Sequence, residues 1–114
     1  MPKSIRVFYG KELGLHGRCR MNFNWTGEIG ETSVVHISAA EAMDIGSASV
    51  FGAHGGPGQD FRYLLGEANV WVSNISPHLG GVEFILHVDW AQPLNIAVTI
   101  TVEHEDPDQF RVTG

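Results

Sequence analysis

The sequence predicts an all-β protein, an antiparallel β-sandwich of about eight strands, with a small β-barrel as the alternative arrangement and at most one short helix. Three observations lead there. Apolar and polar residues alternate along much of the chain, which is the period of a strand with one face on a core and the other in water. The connections are rich in glycine and proline, as at Gly27-Glu28-Ile29-Gly30, Gly55-Gly56-Pro57-Gly58, Gly80-Gly81 and Gln92-Pro93, residue types that supply turn conformations. Helix signals are scarce. Short strands with turn-rich connections suit a sandwich or a barrel, and periodicity does not separate the two.

In chain order, residues 5–9 open the pattern as a strand. Residues 18–25 follow, with Cys19, Met21, Phe23 and Trp25 on the core side and Arg18, Arg20, Asn22 and Asn24 on the water side. A strand is expected at 33–38. Ser38-Ala39-Ala40-Glu41 then matches a helix capping box, so residues 39–44 are expected to form one short helical turn before Gly46. Further β-branched or aromatic segments lie at 49–53, 69–75 and 110–113. The clearest strands are 82–90 and 96–103. The first turns Val82, Phe84, Leu86, Val88 and Trp90 inward and Glu83, Ile85, His87 and Asp89 outward; the second buries Ile96, Val98, Ile100 and Val102.

Length and composition suit one β domain over residues 1–114, with room for one core. Hydrophobic residues make up 43% and charged residues 18%, enough apolar matter to offset the entropy of ordering the chain. The formal charge is −6 and no basic stripe is present, so nucleic acid is not an expected partner. One cysteine excludes an intramolecular disulfide. No stretch has the roughly 20 apolar residues of a membrane span, and no apolar leader precedes the first strand. A cytoplasmic location is the default expectation, with secretion left open. Two sequons, Asn24-Trp25-Thr26 and Asn74-Ile75-Ser76, matter only in a secreted eukaryotic protein.

Several groups carry potential chemistry. His54-Gly55-Gly56-Pro57-Gly58 resembles the oxyanion-hole segment of proline iminopeptidase-type α/β-hydrolases. The resemblance covers five residues, and the chain has neither a Gly-x-Ser-x-Gly elbow nor the alternating strands and helices of that fold. The segment reads instead as a loop that contributes to a ligand cleft together with His54 and Asp60. His87 and Asp89 project from one strand face about 7 Å apart, a start for two ligands to a divalent metal ion. A third ligand would have to come from His36, His54, His78 or His104. The acidic run Glu103 to Asp108 has the oxygen ligands that calcium prefers, and its plainer reading is a solvated turn.

Arg18 and Arg20 share a face, suited to pairing with Glu83, Asp89 or Glu103 across the sheet or to clamping an anion. Cys19 points the other way and reads as a buried apolar residue. Trp25 and Trp90 fall on core faces. For Trp71, flanked by Val70 and Val72, alternation permits either face, and an exposed Trp71 near His78 would be a binding anchor.

The leading expectation is a non-catalytic module that binds a small molecule or glycan through His54, Asp60, Trp71, His78, Arg18 and Arg20. The second is an assembly protein that forms a homo-oligomer through exposed Ile85, Trp71 or its edge strands. The third is a small metal-dependent enzyme built on His87 and Asp89.

Overall fold

The structure is a computed structural model, and it describes residues 2–44 and 61–113. Among these residues seven strands form: β1 (Lys3–Tyr9), β2 (Gly17–Asn24), β3 (Val34–Asp44), β4 (Phe61–Tyr63), β5 (Asn69–His78), β6 (Gly81–Asp89) and β7 (Ile96–Glu103). A single turn of 3-10 helix, Lys11–Leu13, follows β1. The strands make two antiparallel sheets, a first of order β1-β7-β3-β4 and a second of order β2-β6-β5. The all-β class read from the sequence is the observed one.

The two strongest alternating segments become interior strands, β6 between β2 and β5 and β7 between β1 and β3. Val82, Phe84, Leu86 and Val88 of β6 face Ile96, Val98, Ile100 and Val102 of β7 across the space between the sheets, and none is more than 1% exposed. Each such side chain contributes about 1.5–3 kcal/mol on burial. Ile29, from the loop after β2, closes one end of this core.

The flanking strands are less covered. Cys19, Met21, Phe23 and the following Trp25 point inward from the β2 side and are only half-buried, as are Ile5, Val7 and Tyr9 of β1. β3 approaches β5 closely, whereas β1 and β2 do not approach each other to the same degree. The sandwich is therefore drawn together on one side and open on the other.

The β5–β6 hairpin is held by glycine. Gly80 adopts φ 86 in the two-residue turn, a conformation that costs other residues energy. A Cβ on Gly81 would lie 2.6 Å from the Phe23 carbonyl oxygen, so the close pairing of β2 with the start of β6 needs a residue without one.

Several sequence expectations are corrected. Residues 39–44 are not helical: β3 continues through them, pairing Ala39 with Val98, Ala40 with Ala97 and Glu41 with Ile96. β7 pairs with β3 through Glu41 and β4 takes over at Ala42–Asp44, and Ala42 and Ala97 are buried in a small cluster with Phe8, so tertiary pairing overrides a weak local helix preference. Residues 110–113 form no strand. Trp90 is 41% exposed and does not fill the core. Its N–H donates to the Val88 carbonyl at 2.9 Å, a three-residue turn that ends β6 at Asp89 and swings the indole off the strand. Ile85 is buried, although it sits on the outward face. It lies on the central strand between Arg20 and Ser73, and the Arg20 side chain passes it to reach Glu83 at 3.0 Å. The strand expected at 49–53 lies outside the described residues. Among the described residues no helix is long and apolar enough to cross a membrane.

Candidate ligand-binding face

Strand alternation sends Arg18, Arg20, Asn22 and Asn24 of β2 to the outer face of the second sheet, and antiparallel register sets each against a residue of β6. Arg18 stands opposite His87, which stands opposite Trp71 on β5, so the three form one row across the sheet. The next row is Arg20, Ile85 and Ser73. Asp89 begins a row on the other side of His87, paired with Asn69.

The row geometry fixes two rings. The imidazole of His87 and the indole of Trp71 are stacked with centroids 4.7 Å apart and planes 6° from parallel. Side chains directly opposite in an antiparallel pair stand close enough for such contact. Ser73 Oγ and His87 Nε2 share a hydrogen bond of 2.7 Å that sets the rotation of the imidazole. Trp71 nevertheless remains 47% exposed, which settles the choice that alternation left open: the valines Val70 and Val72 pack on the core and Trp71 faces out.

A cleft of about 430 Å³ lies beside this stack, lined by Gly17, Trp71, His87, Asp89, Trp90 and Ala91 among others. It exists because β6 stops at Asp89 and the turn at Trp90 raises a second indole beside the first. The cleft thus has two tryptophan surfaces, an imidazole and a carboxylate, with Arg18 in the same row. Apolar surface with a few convergent polar groups is the usual composition of a small-ligand site. No family model, curated protein or solved structure matches this chain.

The other sequence candidates divide. Arg20 is occupied by its ion pair with Glu83, while Arg18 has no hydrogen bond or ion pair among the described residues. His78 is not part of the cleft. It pairs with Gly81, six residues along β6 from His87 or roughly 20 Å, and its ring nitrogens contact Asn22 Oδ1 at 2.7 Å and the Leu79 carbonyl at 3.1 Å. His54 and Asp60 lie outside the described residues. Trp90 and Ser73 belong to this face and were not singled out as site residues by sequence, because alternation placed Trp90 inward and nothing marks a strand serine.

His87 and Asp89 share the face as expected, but the histidines that would supply a third metal ligand stand elsewhere. His36 approaches Glu103 at 3.5 Å and His104 approaches Glu28 at 3.4 Å, both at one end of the first sheet. Among the described residues no three His, Cys, Asp or Glu side chains gather as a metal site. In the acidic run, Asp106 accepts a hydrogen bond from Thr32 Oγ1 at 3.1 Å. Glu28 accepts one from Lys3 Nζ at 2.8 Å, and this contact, with the nearby charges of Lys3 and His104, holds its carboxyl below the usual range against a partial desolvation.

Proposed function

We propose that this chain is a non-catalytic binding module whose second-sheet outer face takes a small polar ligand, in the first place a carbohydrate. The observation that carries the reading is the exposed, oriented Trp71–His87 stack beside a cleft that also holds Trp90 and Asp89. A flat indole held in one rotation gives a sugar ring an apolar surface at little entropic cost. Asp89 is an acceptor for ring hydroxyls and Arg18 a donor to hydroxyl or carboxylate groups. Ser73 supports the platform by orienting His87.

A glycan array followed by titration of intrinsic tryptophan fluorescence tests this. A binder is expected to perturb the emission and to lose at least about tenfold in affinity on Trp71→Ala, the effect of removing an aromatic anchor worth about 1.4 kcal/mol. An array and a broader small-ligand thermal-shift screen without a binder, or a binder indifferent to both Trp71→Ala and Trp90→Ala, would count against this face.

A further inference from the structure

We propose that residues 104–113 are an exchange arm, which adds as a strand to the free edge of β2 in a second copy of this chain. The arm leaves the end of β7 and carries no regular structure, and all of its residues are exposed. Phe110 and Val112 are 90% and 93% exposed, an arrangement that costs free energy in water and that isolated surface residues do not explain, since the two sit on one side of an alternating Gln109-Phe110-Arg111-Val112-Thr113 sequence. The segment has the pattern of a strand and lacks the partner. Its root is fixed: His104 approaches Glu28, and Thr32 donates to Asp106.

The missing partner is present on the same molecule's surface. Among the described residues β2 pairs with β6 alone, and its other edge offers backbone groups that no described strand takes up. That edge borders the open side of the sandwich, where Cys19, Met21 and Phe23 pack on the core with one side only and stay half-buried. Phe110 and Val112 have the spacing to lie over this row while Gln109, Arg111 and Thr113 face water.

The other edges are less suited. β5 is interrupted by a bulge between Ser73 and Ser76, carries Pro77 and lies against β3, features that block strand addition. β4 has three residues. On β1, Lys3 is engaged by Glu28 and Arg6 by Thr99 and Tyr63. Charge favours β2: Arg18 has no partner among the described residues, and neither has Glu105, which alternates to the side away from Phe110 and Val112.

Donor and acceptor on one chain make the second copy the occupant, and reciprocal exchange closes into a two-fold dimer. Sedimentation velocity of the full chain over a concentration series reads it directly. The wild type is expected to sediment as a dimer and the double variant Phe110→Asp, Val112→Asp as a folded monomer that keeps a β-rich far-ultraviolet dichroism spectrum, since neither side chain packs on its own domain. A monomeric wild type at high micromolar concentration, or a double variant that stays dimeric, overturns the proposal. The edge is tested with Val112→Cys against the natural thiol of Cys19: mild oxidation is expected to give a covalent dimer that is lost when Cys19→Ser is added. A cross-link that survives Cys19→Ser, or none at all, overturns the assignment to β2. Trp71→Ala leaves the dimer intact on this scheme, so failure of the ligand face and failure of the arm are read separately.

Discussion

On the outer face of the first sheet, Arg6 Nε donates to Thr99 Oγ1 at 2.9 Å, Tyr63 Oη shares a 2.6 Å bond with the same oxygen, and Ser4 pairs with Thr101 at 2.7 Å. The Arg6 guanidinium lies 4.4 Å over the Tyr63 ring. On the outer face of the second sheet, Arg18 has no partner among the described residues and Trp71 stays half-exposed beside an open cleft. Both faces come from strands that alternate in the same way. One uses its polar groups on itself, whereas the other holds an aromatic stack in place and, although Arg20, Asn22 and Ser73 are paired there, leaves Arg18 and Asp89 without partners among the described residues. A face whose groups are mutually satisfied has little left to offer a ligand, and a face with oriented but unsatisfied groups has much.

Substitutions distinguish the two faces. The largest effect is expected from Ile100→Ala, which removes a fully buried side chain behind both faces. It should cost about 2–5 kcal/mol in urea unfolding and weaken both faces together; a loss confined to one face would mean that the sheets do not share a core. Trp71→Ala should separate them, abolishing most ligand affinity while shifting the unfolding midpoint little, because the half-exposed indole is not among the side chains packed on the core. Thr99→Val is the converse. Loss of the oxygen shared by Arg6 and Tyr63 should cost about 1 kcal/mol of stability and leave ligand titrations unchanged.

The smallest expected effect is a pH dependence at the end of the first sheet. The Glu28 carboxyl is held below its ordinary range in the folded chain by Lys3 and His104, so the native state binds fewer protons there than the unfolded state. The stabilisation is present above the unfolded carboxyl range, near about 4.3, and fades as pH falls through the lower folded value. Lys3→Met should flatten that acid limb in a pH series of thermal melts. An unchanged limb would show that this exposed contact is screened by solvent.

Much of the fold was legible in the sequence wherever one strand face is buried. The Ile96–Glu103 strand begins and ends where alternation does, and β2 and β6 are placed within a residue or so. Legibility failed where local preference and tertiary pairing disagree. Residues 39–44 carry alanines and a capping box, yet they run as strand because β7 and β4 offer ladder partners. Residues 110–113 alternate like a strand and find no strand partner among the described residues. β4, three residues long, is too short for any period to show.

The candidate face was legible in part. His87, Asp89 and Arg18 were placed outward by period alone, since a two-residue repeat dictates which side chains share a face. What the period cannot contain is register, because hydrogen bonds between strands distant in sequence decide which residue stands beside which. Only the tertiary structure set Trp71 against His87, kept His78 some way along the sheet, and turned Trp90 outward through one backbone hydrogen bond after β6. Sequence alone determined the class of fold and the inward row of the central strands, because burial is a local demand repeated along each strand. Pairing belongs to the folded chain, since it joins residues that no local pattern connects.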